Sequence, residues 1–158
     1  MFTIKSLDKA LGEIRNINKK SPFCPKKHLV AYRLSKMSRN YRGGVVERMV
    51  RDYYKKMGKA VFHIGGNSSY DMLVNGHKIE VKSALAKVNI VGGVIKYTYK
   101  FGHIRPANFS KLVLVFISPE GITARVINSN TAAKYTGSKN KHKDLYVGKK
   151  IFGKVLAA

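Results

Sequence analysis

The dipeptide Asn75-Gly76 separates two short segments of strand-like composition, residues 70–74 and 77–83. Asn-Gly is the strongest short-range signal for a two-residue hairpin turn, because both residues tolerate the positive φ angles that this turn requires. A two-residue turn also sets the pairing, since Val74 must face His77 and every further pair is counted outward from there. The sequence therefore predicts a tight antiparallel hairpin with one defined register.

This register brings charged side chains together on one face of the hairpin. Asp71 is expected directly opposite Glu80, with Cβ atoms about 5 Å apart. Lys82 shares their face because side chains alternate along a strand, whereas Ile79 and Val81 point the other way, into a core. Facing carboxylates destabilise a sheet, and this chain of 158 residues and net charge +23 has only eight carboxylates. Their placement together indicates a functional site.

The paired carboxylates suit a hard divalent cation. Oxygen atoms of Asp71 and Glu80, with the backbone carbonyl of Val81 as a third ligand, could hold Mg²⁺, for which Mn²⁺ could substitute. Such an ion polarises a phosphoryl oxygen and lowers the pKa of a bound water, which Lys82 could orient. The simpler alternative is a solvated face on which Glu80 and Lys82 form a salt bridge.

Hydrophobic periodicity predicts an α/β protein with a mixed β-sheet flanked by helices. Helices are predicted over 6–17, 28–37, 45–57 and 128–135, with a short helix or turn over 106–110. Strands are predicted over 60–64, 70–74, 77–83, 90–101, 112–118 and 122–127. The apolar run 112–118 is typical of a buried central strand.

The predicted helix over 45–57 is expected to cover the hairpin and to carry a third carboxylate. Its expected buried stripe consists of Val46, Met49, Val50, Tyr53 and Met57. Glu47 lies at the edge of this stripe, from which it could complete the metal shell or bind a second ion. Residues 36–44 are predicted to form a basic linker into this helix.

The chain divides by composition into an N-terminal helical extension (1–37), a main domain (38–135) and a weakly patterned basic tail (136–158). A single cysteine, Cys24, excludes an intramolecular disulfide. The sequence has no apolar stretch long enough to span a bilayer and no signal-peptide core at its start. We therefore expect a reducing, cytoplasmic setting and no membrane partner.

The charge of +23 and the pI near 10.3 come from Lys and Arg dispersed along the whole chain, which is the electrostatic pattern of a nucleic-acid binder. Double-stranded or branched DNA is the expected partner. A solvated face is an equally good interpretation of the basic residues near the Glu47 helix. The candidate phosphate contacts are Arg39, Arg42, Arg48, Arg51, Lys55 and Arg105.

Glu47, Asp71 and the run Glu80-Val81-Lys82 resemble the motif of the PD-(D/E)XK nuclease superfamily, although Tyr70 stands where the family name has proline. Residues 39–44 (RNYRGG) with the following Glu-Arg, and the Gly-Gly-x-Ser loop before Asp71, look like the start of archaeal-type Holliday junction resolvases. The resemblance covers residues 38–84. It implies a restriction-endonuclease-like fold and a homodimer that cleaves four-way junctions with Mg²⁺.

In those resolvases a serine upstream of the aspartate matters, and Ser68 is its natural counterpart here. Ser69 is an alternative, and a plain turn-forming role for either serine is as good an interpretation. His63, His77 and His103 could act as bases, but histidines on strands are usually structural.

The second half of the chain fits the resolvases less well. Residues 97–117 look more like restriction or homing endonucleases of the same superfamily, so a sequence-specific endonuclease is the alternative function. A non-catalytic nucleic-acid-binding protein is the third possibility, and composition alone would favour it.

Overall fold

The computed structural model of this protein describes residues 22–64, 68–91 and 94–148, with only the backbone described at 90, 91 and 94. The predicted helix over 6–17 and the last ten residues lie outside this part. The helices are α1 (Leu29–Lys36), α2 (Arg39–Lys56) and α3 (Ser129–Thr136), with a short 3-10 helix at Pro106–Asn108. The strands are β1 (Val61–His63), β2 (Met72–Val74), β3 (His77–Leu85), β4 (Lys87–Val91), β5 (Val94–Ile104), β6 (Lys111–Ser118), β7 (Gly121–Asn128) and β8 (Lys143–Gly148).

Five of the strands form a mixed sheet in the order β1-β2-β3-β6-β7. The β3–β6 pair is parallel and the other pairs are antiparallel. Helices α1 and α2 contact one face of this sheet, and α3 contacts β6 and β7. The predicted α/β class with a mixed sheet flanked by helices is therefore confirmed.

Buried side chains lie on both faces of the five-stranded sheet. On β6, Val113, Val115 and Ile117 pack with helices α1 and α2, whereas Leu112 and Leu114 pack on the opposite face with β5, β8 and α3. Burial on both faces explains the continuous apolar run that predicted this strand. On β3, Ile79 belongs to the helix side, so the alternate residues of that strand face the other layer.

Helix α2 begins earlier than the sequence pattern predicts. The predicted linker over 36–44 is wrong, because α2 starts at Arg39 and runs through Gly43 and Gly44. The Ser38 hydroxyl accepts a hydrogen bond from the Tyr41 amide and caps the helix, which satisfies one of the free N–H groups at its start. The predicted stripe also differs: Val45, Val46, Met49 and Val50 are buried, but Tyr53 is half-buried and Met57 is exposed.

A second sheet of three strands, in the order β4-β5-β8, packs beside the first. The sequence pattern predicts one strand over 90–101, whereas the structure has two paired strands, β4 and β5, on either side of residues 92 and 93. Residues 143–148, predicted to be weakly patterned tail, form β8 and pair with β5. Leu145 and Val147 of β8 are buried against this layer. No helix in the described ranges is long and apolar enough to cross a membrane.

The Asn75-Gly76 turn forms as predicted. Both residues have positive φ, 48° and 79°, and the pairs Val74–His77, Leu73–Lys78 and Met72–Ile79 follow in the expected register. The Asn75 side chain also accepts a hydrogen bond from the Ala60 amide at 2.9 Å. The turn is therefore held to β1 as well as closing the hairpin.

Two glycine substitutions should change stability in opposite directions. Gly76→Ala should lower the free energy of unfolding by about 1–2 kcal/mol, because a Cβ is disfavoured at positive φ. Gly44→Ala should raise it by about 0.5–1 kcal/mol, since Gly44 is exposed in α2, no atom beyond its own helix backbone and chain neighbours lies within 4 Å of the added Cβ, and alanine is the better helix former. Urea unfolding of both variants measures the two values, and the same sign for both would contradict this account.

Candidate active site

Asp71 lies where strand β2 begins, and its side chain replaces a backbone group of the sheet. The paired ladder ends at Met72–Ile79, so Asp71 is not the direct ladder partner of Glu80 that the register predicted. Its amide donates to the Ile79 carbonyl at 3.0 Å, and its carboxylate Oδ2 accepts from the Val81 amide at 2.6 Å. This bond holds the carboxylate of Asp71 against β3.

Glu80 and Lys82 lie on the same face of β3, as the alternation of side chains predicts. Lys82 Nζ forms an ion pair with Glu80 Oε1, and the Glu80 side chain is only 12% exposed. This contact is the salt bridge that the simpler interpretation required. It also shows that the Lys82 ammonium group reaches the space beside the carboxylates.

Glu47 approaches from the other face of the sheet, on helix α2, which packs against β3 and β1. Its Oε1 lies 2.8 Å from Nε2 of His63, at the end of β1. A structural role was the main expectation for His63, and its pair with Glu47 was not predicted. The contact fixes the Glu47 side chain at the edge of the sheet.

The three carboxylates are close enough to affect one another. Burial, followed by the negative charges of Glu80 and Glu47, raises the pKa of Asp71 from 3.8 to about 6. The Val81 amide and the Lys82 ammonium group oppose this rise in pKa but do not cancel it. A divalent cation bound at Asp71 would offset the same repulsion, because its positive charge favours the ionised carboxylate.

In the part of the chain that the structure describes, no three His, Cys, Asp or Glu side chains are arranged to hold a metal ion together, so Glu47 does not join Asp71 and Glu80 as a third ligand in this geometry. Mg²⁺ does not need one, because it usually keeps several waters and binds through one or two carboxylates together with substrate phosphates. Asp71 and Glu80 supply oxygen donors of this kind. Their chemistry therefore fits Mg²⁺, with the Val81 carbonyl as the further predicted ligand.

Glu80 and Lys82 open onto a surface cleft of about 200 Å³. The cleft lies between two groups of residues from different parts of the chain. Its lining residues are Ser68, Ser69, Glu80, Lys82, His103, Arg105, Asn108, Phe109 and His142. Ser68, predicted from the resemblance, thus lies beside Glu80 and Lys82, but its hydroxyl also accepts a hydrogen bond from the Tyr70 amide at 3.4 Å, which is a turn-forming contact.

His142 in the cleft was not predicted as a site residue, and His103 was considered only as a possible base whose usual role on a strand is structural. They are 39 residues apart in sequence, and the β5–β8 pairing brings them together. The signal available in the sequence was their neighbours, because His103 lies two residues before the predicted phosphate contact Arg105 and His142 lies in a run of lysines. Neither position carries a recognisable motif.

The predicted phosphate contacts are dispersed over the surface. Arg48 and Lys55 are exposed on α2, with Arg51 between them at helical spacing and 3.9 Å from Asp52. Arg105 lines the cleft. The group is therefore not a single patch.

The two arginines in the first turn of α2 differ in their surroundings. Arg39 is exposed, and its guanidinium lies over Gly102. Arg42 is half-buried and donates to the Met37 carbonyl at 3.0 Å, and burial lowers its pKa, followed by the charge of Arg39. The structure therefore gives Arg42 a contact at the end of α1 in addition to any role with DNA.

No protein-family model matches this sequence, and no curated protein is similar to it. Among solved structures, the bacterial homing endonuclease I-Ssp6803I is similar to this chain, with 18% sequence identity and a TM-score of 0.47. The similarity covers 70% of this chain and 75% of the other.

Proposed function

We propose that this protein is a Mg²⁺-dependent DNA endonuclease that cleaves branched DNA, as Holliday junction resolvases do. One observation supports it above all others: Asp71, Glu80 and Lys82 come together beside an open cleft, in a chain where carboxylates are rare. Burial and mutual repulsion of carboxylates cost stability, so a structural role does not explain this arrangement. A role in hydrolysis of a phosphodiester bond explains why these three side chains lie together.

In this proposal, different residues of the chain bind the metal, orient the attacking water and hold the ligands in place. Asp71 and Glu80, with the Val81 carbonyl, would hold Mg²⁺, which supplies a polarised phosphoryl oxygen and a water of lowered pKa. Lys82 orients the attacking water or stabilises the charge that develops on the phosphate. The Val81 amide keeps the Asp71 carboxylate turned toward β3, and His63 holds Glu47 at the sheet edge.

The dispersed positive charge supports DNA as the substrate and its shape as the feature recognised. Arg39 and Arg48 are exposed on α2, and Arg105 is exposed just before the 3-10 helix, so they can contact phosphates over a broad surface. Phosphate contacts position a protein without reading sequence. A four-way junction presents two duplexes, so we further propose that a homodimer with two such surfaces acts on it.

A sequence-specific endonuclease is the second candidate, and the three-stranded sheet favours it. By its register, the outer face of this sheet carries Asn89, Lys96, Thr98 and Tyr146. Asn89 donates to Thr98 Oγ1 at 3.2 Å, so polar groups able to contact base edges stand side by side. Other proteins read DNA grooves with strands in this way.

Cleavage of a labelled four-way junction and of a matched linear duplex tests the proposal, each in Mg²⁺ and in EDTA. We expect paired, symmetric nicks in the junction that need Mg²⁺. Lys82→Ala should reduce this cleavage by about 10²–10³-fold, the loss typical when one group that stabilises transition-state charge is removed. Its affinity for the junction should change little.

Lys78→Ala is the matched control, because Lys78 is on the same strand but does not line the cleft. It removes the same charge and should retain cleavage. Metal-dependent cutting of linear duplex at one sequence would move the assignment to the second candidate. Binding without cutting in any metal would contradict both and leave a non-catalytic nucleic-acid-binding protein.

A further inference from the structure

One wall of the cleft is built around an irregularity in strand β5. Between the pairs Phe101–Leu145 and Ile104–Lys143, β5 advances three residues while β8 advances two. This extra residue is a β-bulge, which typically redirects a side chain next to a functional site. His103 lies within it at φ 57°, a conformation that few residues other than glycine adopt.

Side-chain contacts hold this unusual backbone in place. The His103 amide donates to Asp144 Oδ1 at 3.2 Å, and Asp144 Oδ2 pairs with Lys100 at 2.8 Å. Gly102 leaves room for the Arg39 guanidinium, which a Cβ there would approach to 2.7 Å. Several residues thus maintain a strained conformation whose visible result is that His103 lines the cleft.

His142 lines the same wall from the segment before β8. Its Nδ1 lies 3.4 Å from the His103 carbonyl, which can only accept a hydrogen bond, so Nδ1 carries the proton and Nε2 is left for another partner. The two imidazole centroids are 6.4 Å apart. With a proton on each nitrogen, the ring can donate to the His103 carbonyl through Nδ1 and to an anion through Nε2.

Arg105 completes a wall that carries only cationic and neutral groups, with Asn108 beside it. The carboxylate of Glu80 and the ammonium group of Lys82, both on β3, line the same cleft. The cleft is therefore lined on β3 by groups suited to a metal and the cleaved phosphate, and around the ends of β5 and β8 by groups suited to a second anion. Successive phosphates of a single DNA strand are one nucleotide apart, a rise of about 3.4 Å along the helix axis, so a strand bound in this cleft brings a second phosphate near the one that is cleaved.

We propose that His103, Arg105 and His142 bind the backbone phosphate next to the one that is cleaved, so that the cleft holds one DNA strand. This inference rests on the proposed function and adds a substrate contact that its metal site does not provide. In this role the three side chains position the DNA strand, and the β-bulge directs the His103 side chain into the cleft.

DNA in which single phosphates are replaced by uncharged methylphosphonates tests this contact. Affinity is measured in Ca²⁺, with a series of substrates that carry the replacement at successive positions. For the wild-type protein, one position next to the cut should weaken binding by about 10-fold or more, the size expected for lost hydrogen bonds to a charged group. Arg105→Ala and His142→Ala should weaken binding of unmodified DNA by a similar factor, and the same replacement should then have little further effect.

His103→Asn is the variant of choice at the bulge, because asparagine tolerates positive φ. Lys134→Ala is the matched control, since Lys134 is exposed on α3 and does not line the cleft. In this variant, replacement of the same phosphates should weaken binding as it does in the wild-type protein. Circular dichroism confirms folding of each variant.

Additive effects of the replacement and the cleft variants at every position would overturn the inference. The inference would also be overturned if the same phosphate positions were sensitive to replacement in the wild-type protein and in the cleft variants. If the protein binds DNA but never cuts it, the endonuclease proposal fails, whereas loss of one sensitive phosphate in the cleft variants still supports the wall as a phosphate site.

Discussion

Asp71→Asn is expected to lower DNA cleavage in Mg²⁺ by about 10³-fold or more, because it removes a proposed ligand of Mg²⁺, and such an ion contributes several kcal/mol to transition-state stabilisation. Binding of DNA in EDTA should be retained. Asp52→Asn is the matched control: Asp52 is half-exposed on α2 beside Arg51, and its loss changes the net charge by the same amount. Unchanged cleavage by the Asp71 variant would contradict the metal site.

The same substitution should stabilise the protein without divalent ions at pH 8. The folded-state pKa of Asp71 is about 6, above its ordinary value of 3.8, so the folded protein binds more protons than the unfolded chain between these two pH values. Stability from this group therefore falls as pH rises from about 4 to 6, and the full penalty persists above that range. A shift of this size corresponds to about 3 kcal/mol at most, and solvent screening of the part-exposed side chain reduces it to about 1–2 kcal/mol.

Asparagine avoids this penalty because it is neutral, and its oxygen can still accept the Val81 amide. Urea unfolding at pH 8 and at pH 4 measures the effect. The gain should be present at pH 8 and absent at pH 4, and added Mg²⁺ should raise the stability of the wild-type protein more than that of the variant. Equal gains at both pH values would show that the shifted pKa of Asp71 is not the cause.

DNA affinity should depend steeply on salt. With a net charge of +23 and contacts to about 6–10 phosphates, the dissociation constant should rise by about 10³–10⁵-fold between about 50 and 200 mM salt. Titrations in EDTA over this range give the slope of the logarithm of the constant against the logarithm of salt concentration. A shallow slope would mean that phosphate contacts contribute little to binding.

Two arginines of α2 provide an internal comparison for this slope. Arg48→Ala should reduce the slope of the logarithm of the dissociation constant against the logarithm of salt concentration by about one, because Arg48 is exposed and free to contact a phosphate. Arg42→Ala should leave the slope unchanged and lower the free energy of unfolding by about 1 kcal/mol, since Arg42 is half-buried and donates to the Met37 carbonyl. An equal change of slope in both variants would place Arg42 at the DNA surface as well.

The sequence predicted those elements whose conformation depends on residues close to them along the chain. The Asn75-Gly76 turn carries its own geometry, so the register of β2 and β3 and the shared face of Glu80 and Lys82 could be counted from it. Burial on both faces left a continuous apolar run in β6. The start of α2 could not be read in the same way, because Gly43 and Gly44 suggest a linker and the packing of the residues after them overrides that preference.

The rest of the fold and of the site depends on pairing between strands that are far apart in sequence. Strand β8 offers only Leu145 and Val147 as apolar positions, and both depend for burial on β5, more than 40 residues earlier. The exact place of Asp71 depends on the ladder ending at Met72. The positions of His103 and His142 depend on a bulge for which the sequence has no known signal.

The strict register of β3 has a consequence for how this chain can change over evolution. Strand β3 is paired on both sides, with β2 through the Asn75-Gly76 turn and with β6 in parallel. A slip of β3 by one residue against these partners would exchange its two faces, placing Glu80 among the helices and Ile79 in the cleft. Homologous proteins that retain this chemistry should therefore vary freely in the side chains of this hairpin's exposed rim, but hardly at all in the number of residues between Asp71 and Lys82.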